Sequence, residues 1–300
     1  LARAGGLDQA LLHQSLQGGV LGGRGVEHLD VDADAVLNLC RSFIRAQFTS
    51  TGAERAVLGI SGGIDSALVA HLLVEALGPE RLIGVVMPYS TSASSSRADA
   101  LQIVEKLGCA VEEVPITNAV DSMIHSLPDG GATTPIRRGN IAARARMTAL
   151  YDRSALHHGL VAGTGNKTEY LIGYTTLHGD AACAFNPIGD LYKSQVRLLA
   201  AHLGVPEHII AKAPSADLWP GQTDESEGGF DYPTLDQILL RLVDRRQSVA
   251  ETVAEGFEIG LVERVRGMIL ASEFKRLLPP IATIGNPNRS IDHLRIESGS

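Results

Sequence analysis

Apolar positions in the chain fall into two alternating rhythms, short continuous runs and longer stretches spaced at three and four residues. Val36, Leu39, Cys40, Phe43 and Ile44 recur at helical spacing, with Asp32 or Asp34 as the expected N-cap. The run Ala56, Val57, Leu58 and Ile60 then reads as a buried strand, and Ala67, Leu68, Ala70 and Leu73 as an apolar helix closed by Gly78-Pro79. A second strand is expected over Leu82–Met87, followed by a Ser/Thr-rich loop at Ser90–Ser96, a helix over Arg97–Leu107 and a strand over Cys109–Val114. A helix over Asn118–His125, a mobile-looking stretch at Pro128–Pro135 and a long helix after Gly139 come next. Gly159–Gly163 reads as one more buried strand, turned into a helix by Thr164-Gly165-Asn166. Helices are expected again near Leu235–Val243 and Ile259–Phe274. This alternation predicts an α/β protein with a doubly wound parallel sheet. Ligands of such a sheet gather in the loops at the carboxyl ends of its strands.

The ends of the chain break the pattern. Residues 1–30 are glycine-rich and read as a flexible arm, 31–280 as the globular domain, and 281–300 as a disordered tail.

Composition narrows the function. With 300 residues, 44% of them hydrophobic, there is ample material for a core. A net charge of −8 argues against non-specific nucleic-acid binding, although Arg137-Arg138 and Arg144-Arg146 can make a local anion site. The three cysteines form no C-x-x-C pair, so reduced thiols are expected rather than a disulfide frame or zinc site. No apolar run approaches a membrane span, and no secretory pattern opens the sequence, so a cytoplasmic enzyme is expected.

The chemistry starts at Ser61-Gly62-Gly63-Ile64-Asp65-Ser66, between the first strand and its helix. Glycines let the backbone turn tightly and approach a ligand. The N–H groups of the helix's first turn, with the positive end of its dipole, then face an anion. Ser61 and Ser66 add hydroxyls, and Asp65 can hold a divalent metal beside bound phosphates. A Walker A loop needs a lysine and Ser/Thr after its second glycine, and that pattern is absent. SGGIDS instead resembles the PP-loop of ATP pyrophosphatases, which grips departing pyrophosphate while the α-phosphorus is attacked. Gly59-Ile60-Ser61-Gly62-Gly63 also satisfies the G-x-S-x-G elbow of serine hydrolases, for which His178, His202, His208 and His293 are candidate partners.

Three further stretches carry candidate chemistry. Glu169, on the first turns of the helix after the Gly159–Gly163 strand, can share a metal with Asp65 if the two strands adjoin. Alternatively it is a solvated carboxylate favoured by the helix dipole. Lys193 stands at a helix start, where a cation is unfavourable unless anions are near; otherwise Asp190 serves the cap and Lys193 is solvated. The polar stretch Pro214–Glu225 suits a lid over a site, or a plain loop.

Taken together, SGGIDS, GNIAARARM (Gly139–Met147), GTGNKTE (Gly163–Glu169), GYTTLHGD (Gly173–Asp180), NPIGDLYKSQV (Asn186–Val196) and PSADLWPGQTDE (Pro214–Glu225) resemble the NAD synthetase family, in that family's order. The resemblance implies an adenine-nucleotide α-hydrolase-like (PP-loop) fold and a homodimer. It implies ATP-dependent amidation of nicotinic acid adenine dinucleotide (deamido-NAD) by ammonia, with Mg²⁺. On matching positions, Gly59, Ile60, Ser61, Gly62, Gly63, Ile64, Asp65 and Ser66 would hold the ATP phosphates, with Thr164, Lys193 and Ser215 contacting ATP. Asp65 and Glu169 would bind Mg²⁺, and Asp65, Glu169 and Lys193 would carry the catalysis. Asn140, Arg144, Asp180 and Lys275 would face the dinucleotide. Three departures fall on the dinucleotide side. Leu177, Ala184 and Phe274 stand where many ammonia-dependent members have lysine, aspartate and histidine. The first two look more like the synthetase domain of glutamine-dependent members, but no nitrilase-type glutaminase domain is expected in 300 residues. Ammonia is therefore the expected nitrogen donor. A PP-loop ligase on another acid, a synthetase subunit fed by a separate amidase, and an ATP-binding regulator are the alternatives.

Overall fold

The computed structural model describes residues 29, 31–129, 132–213 and 229–282. The expected arm and tail, and the Pro214–Glu225 stretch with Ser215, therefore lie almost wholly outside the described residues. In chain order the main elements are α1 (Ala33–Thr51), β1 (Arg55–Gly59), α2 (Ile64–Leu77), β2 (Leu82–Val86), α3 (Ser94–Leu107), β3 (Ala110–Glu113), α4 (Thr117–His125) and α5 (Pro135–Leu156). They continue with β4 (Gly159–Ala162), α6 (Lys167–Ile172), α7 (Lys193–His202), α8 (Glu207–Ala211), α9 (Tyr232–Leu239), α10 (Val249–Ala254) and α11 (Ile259–Ala271).

The strands form a parallel four-stranded sheet in the order β3-β2-β1-β4. Side chains on a strand alternate between faces, and the core divides accordingly. Ala56 and Leu58 of β1, with Leu82 and Val86 of β2, pack into one cluster with α1, α2, α3 and α7. Val57, Ile83 and Val85 face the other way, onto Val120 and Ile124 of α4 and Ala142 of α5. Helix α2 is buried nearly all round, from Ile64 through Leu73, because neighbouring helices cover it as well as the sheet. A third cluster, centred on Tyr232, Leu235, Ile238 and Val262, joins α9 and α11 to Ile172 of α6 and Tyr192.

The chain winds from β1 to β2 to β3, then returns to place β4 on the other side of β1. That reversal opens a crevice at the carboxyl ends of β1 and β4, where ligands of open α/β sheets bind. The pairing of Leu58 with Ala162 puts the loop after β1 beside the loop after β4, meeting the adjacency that a shared Asp65–Glu169 site requires.

Several boundaries differ from the sequence reading. Ser94–Ser96 start α3 rather than ending a loop. Pro135–Arg138 form the first turn of α5, with Thr134 as N-cap and Pro135 at the position where proline's missing N–H costs nothing. The mobile-looking stretch is correspondingly shorter. The expected Leu235–Val243 helix starts earlier, at Tyr232, and passes into a π turn over Leu240–Asp244. Of the two N-cap candidates for α1, Asp32 does the capping, accepting from the N–H of Ala35 at 3.1 Å.

Candidate active site

The phosphate-loop candidate is ordered from within. Ser66 Oγ donates to the carbonyl of Gly63 at 3.0 Å and accepts from the N–H of Ser61 at 3.2 Å. Ser61 Oγ lies 3.1 Å from Ser66 Oγ and accepts from the N–H of Gly63 at 3.2 Å. The two serines thus fold the loop around themselves. No histidine is among these partners, and His202 and His208 are turned to Asp34 and Asp99. A hydrolase dyad on Ser61 finds no support among the described residues, and His293 lies outside them.

Gly62 cannot be replaced freely. Its φ is +78°, and a Cβ there would sit 2.2 Å from the carbonyl oxygen of Ser96 on α3. The loop therefore presses directly on the first turn of α3. Lys212 reinforces that junction, donating to Ser96 Oγ at 3.2 Å and pairing with Asp99 at 2.9 Å. Beyond Gly63, the N–H groups of Ile64, Asp65 and Ser66 open α2 and have no intrahelical acceptor. They form an anion-binding end.

Asp65, on this first turn, meets residues from two other elements. Asn166 Nδ2 donates to Asp65 Oδ1 at 2.9 Å, and Lys193 Nζ reaches Asp65 Oδ2 at 2.6 Å. The same ammonium lies 3.2 Å from Glu169 Oε1. Glu169 is aimed by its helix start. Asn166 caps α6 by accepting from the N–H of Glu169, and Glu169 Oε2 accepts from the N–H of Asn166 at 3.2 Å. One carboxylate oxygen closes this reciprocal cap while the other faces Lys193. The solvated-carboxylate alternative for Glu169 is set aside by this geometry.

Lys193 is not solvated either. Its side chain is 3% exposed, whereas that of Asp190 is 96% exposed and pairs with Lys167. A lysine is tolerated at the start of α7 because two carboxylates face its head group and the ring of Tyr232 lies 5.4 Å from it. Burial disfavours the charge on Lys193, but Asp65 and Glu169 outweigh burial and hold its pKa above the ordinary value. Burial pushes the carboxyl of Glu169 up to about 7; Lys193 opposes that rise and Asp65 adds to it.

Among the described residues no group of three or more His, Cys, Asp and Glu side chains forms a metal cluster. Two carboxylates suffice for Mg²⁺ when phosphate oxygens and water complete its shell. Asp65 and Glu169 fit that role, since both already converge on one cationic atom, Lys193 Nζ.

The four residues expected at the dinucleotide gather around one loop, residues 173–180. Asp180 accepts from Thr175 Oγ1 at 2.9 Å and from the N–H of Thr176 at 2.8 Å. Asn140 Oδ1 accepts from Thr176 Oγ1 at 2.7 Å, and Arg144 donates to the carbonyl of Leu177 at 3.2 Å. Lys275 donates to the carbonyls of Gly173 and Thr175 at 2.7 and 2.8 Å. Burial lowers the pKa of Lys275, against the pull of Asp180. Leu177 belongs to this loop, while Ala184 and Phe274 are exposed. Thr164 lies in the turn between β4 and α6, beside the Asp65 cluster in sequence and partly buried.

Sequence reasoning missed Asn166 as a partner of Asp65, although an Asn followed three residues later by Glu is a helix-start signature. It also missed Thr168 and Asp236, both fully buried polar residues behind the cluster. Asp236 carried no local signal, since it stands one step round the helix from the Leu235, Ile238 and Leu239 stripe, where a carboxylate is ordinarily solvated.

Comparison with known proteins gives the family and the fold. The family model described as NAD synthase matches residues 36–279. The NH3-dependent NAD+ synthetase of Trichlorobacter lovleyi is 49% identical over 267 residues, covering 89% of this chain and 96% of that one. The structure of an NMN synthetase from Francisella tularensis superposes with a TM-score of 0.74 at 32% identity, covering 85% of this chain and all (100%) of that one. The structure of the NH3-dependent NAD synthetase from Campylobacter jejuni, in complex with nitrate ion, gives a TM-score of 0.72 at 34% identity, covering 84% and 100%.

Proposed function

This chain belongs to the NAD synthase family, and we propose from that membership that it amidates the nicotinate carboxylate of deamido-NAD with ammonia, converting ATP to AMP and pyrophosphate. The observation that carries the reading is the convergence of Asp65, Glu169 and Lys193 beside a phosphate loop that lacks the Walker lysine.

The chemical problem is the leaving group. A carboxylate attacked by ammonia would have to expel oxide, so it must first be activated. Attack of a carboxylate oxygen on the α-phosphorus of ATP releases pyrophosphate and forms an acyl-adenylate. Ammonia then attacks the acyl carbon, and AMP departs with that oxygen.

Residues Gly59–Ser66 surround the phosphates, with the open N–H groups of α2 directed at the anion. Lys193 stays cationic across the physiological range because Asp65 and Glu169 hold its pKa up. It therefore faces ATP as a charge rather than as a base. Asp65 and Glu169 would hold Mg²⁺, which would supply further positive charge beside the departing pyrophosphate. Ser61 orders the loop through Gly63 and Ser66 and is no nucleophile. On family membership Thr164 and Ser215 would contact ATP, while Asn140, Arg144, Asp180 and Lys275 shape the dinucleotide side around residues 173–180. The working unit spans residues 31–280 and acts as a cytoplasmic homodimer. No described helix is long and apolar enough to cross a membrane.

Incubation with ATP, Mg²⁺, deamido-NAD and ammonium is expected to yield NAD, AMP and pyrophosphate, with no turnover on glutamine alone. ADP and phosphate as products would overturn the reading. Preference for nicotinate mononucleotide over deamido-NAD would reassign the acid while keeping the chemistry.

A further inference from the structure

Behind the cluster lies a carboxylate with no place in the phosphate chemistry just described. Asp236, on α9, is fully buried between the helix starts that carry Glu169 and Lys193. Its Oδ1 accepts from Thr168 Oγ1 at 2.6 Å. Its Oδ2 accepts from both the N–H and the hydroxyl of Ser194, at 2.8 and 2.7 Å. Thr168, also fully buried, uses its Oγ1 to accept from the N–H of Lys193 at 3.0 Å. Thr168 immediately precedes Glu169, and Ser194 immediately follows Lys193.

One carboxylate therefore fixes the first turn of α6 against the first turn of α7. A buried charge is costly unless donors surround it. Here two hydroxyls and an N–H do so, and the positive end of α7 lies beside it. Burial nevertheless raises the pKa of Asp236, against the lowering pull of Ser194 and Thr168. An apolar residue would suit a buried site beside Leu235, Ile238 and Leu239. The carboxylate is kept where its hydrogen bonds have a geometric consequence, the spacing of the Glu169 and Lys193 side chains.

We propose that Asp236 is a positioning residue, setting through Thr168 and Ser194 the geometry of the cation site that Glu169 and Lys193 share with Asp65. It deepens the function proposed above and rests on that reading.

The test compares Asp236→Asn, Thr168→Val and Thr168→Ser with the wild type. Mg²⁺-dependent ATP binding is followed by calorimetry, and turnover at saturating deamido-NAD and ammonium. Asp236→Asn keeps the shape but turns one acceptor into a donor facing groups that already donate. Losing these bonds is expected to weaken Mg²⁺-dependent ATP binding about tenfold and lower kcat about tenfold, with KM for deamido-NAD within about twofold. Thr168→Val should behave likewise, and Thr168→Ser, which restores the hydroxyl, should recover wild-type values within about twofold. Variants that melt earlier but match the wild type in ATP binding and kcat, well below their melting temperature, would overturn the inference. If Asp236→Asn does not fold, the Thr168 pair decides the question. A wild type inactive on deamido-NAD whose Mg²⁺-dependent ATP binding is still weakened by Thr168→Val would reject the substrate reading and uphold the positioning one.

Discussion

Replacing Lys193 by methionine removes the cation on which Asp65 and Glu169 converge while keeping most of the volume. Lys193 is 3% exposed at its side chain, and its two partners are each 18% exposed. Breaking a buried pair by removing one member costs about 3–5 kcal/mol, because charge is left uncompensated. The partial opening of both carboxylates to solvent places the cost near the lower end, about 3 kcal/mol. For a domain of this size that corresponds to a melting temperature lower by roughly 6–12 °C. Lys193 holds down the pKa of Glu169 against burial, so in the variant that carboxyl takes up a proton more readily than in the wild type; this relieves part of the loss, and the deficit should be smaller at pH 6 than at pH 8. Mg²⁺ can then stand in for the missing ammonium. At a hundredfold excess over its dissociation constant it returns about 2.7 kcal/mol, nearly the whole deficit. In the wild type Mg²⁺ must compete with Lys193 and should raise stability less. Scanning calorimetry at pH 8, with and without Mg²⁺, checks this. A melting temperature within about 2 °C of the wild type, or an equal Mg²⁺ shift in both proteins, would refute the argument that these carboxylates form one cation site.

Three other outcomes are expected. Gly62→Ala should cost at least about 1–2 kcal/mol from the positive φ alone, and weaken ATP binding further because its Cβ collides with the Ser96 carbonyl; near-normal ATP affinity by calorimetry would contradict the packed-loop account. Because the folded pKa of Glu169 is raised from 4.5 to about 7, its carboxyl is protonated below that value and opposes Mg²⁺ there. The midpoint of Mg²⁺ activation, measured at constant free ammonia, should therefore weaken about tenfold from pH 8 to pH 6, and an unchanged midpoint would show that Glu169 does not hold the metal. Arg144→Ala, which frees the Leu177 carbonyl, should lower kcat/KM for deamido-NAD roughly ten- to a hundred-fold and leave ATP affinity unchanged; equal losses for both ligands would point instead to a disrupted fold.

Most of the parallel sheet was readable because β2, β4 and β1 after Arg55 are continuous apolar runs separated by helical spacing, whereas β3 is an exposed edge strand ending in Glu112 and Glu113. The phosphate loop was readable because Ser61, Gly63 and Ser66 order it through bonds to one another within a few residues. The pairing of β1 with β4, which turns Asp65 and Glu169 into one site, is a property of strand order and has no local signal. For Lys193 the helix dipole posed the right question, and only the tertiary structure answered it, through partners 128 and 24 residues away in sequence. Asp236 stayed hidden for a related reason. A carboxylate on a short helix reads as solvent-facing until the starts of α6 and α7 are seen to cover it. Strand and helix limits shifted by a few residues where polar caps such as Thr134 extend a helix beyond its apolar stripe.

The central claim, activation of the acid at the α-phosphorus of ATP, is tested most directly by following oxygen. Deamido-NAD labelled with ¹⁸O in both nicotinate carboxylate positions is incubated with the protein, ATP, Mg²⁺ and ammonium, and the products are weighed by mass spectrometry. The account predicts one labelled oxygen in each AMP, the other retained in the NAD amide, and none in pyrophosphate. Unlabelled AMP, or label in inorganic phosphate beside ADP, would contradict it.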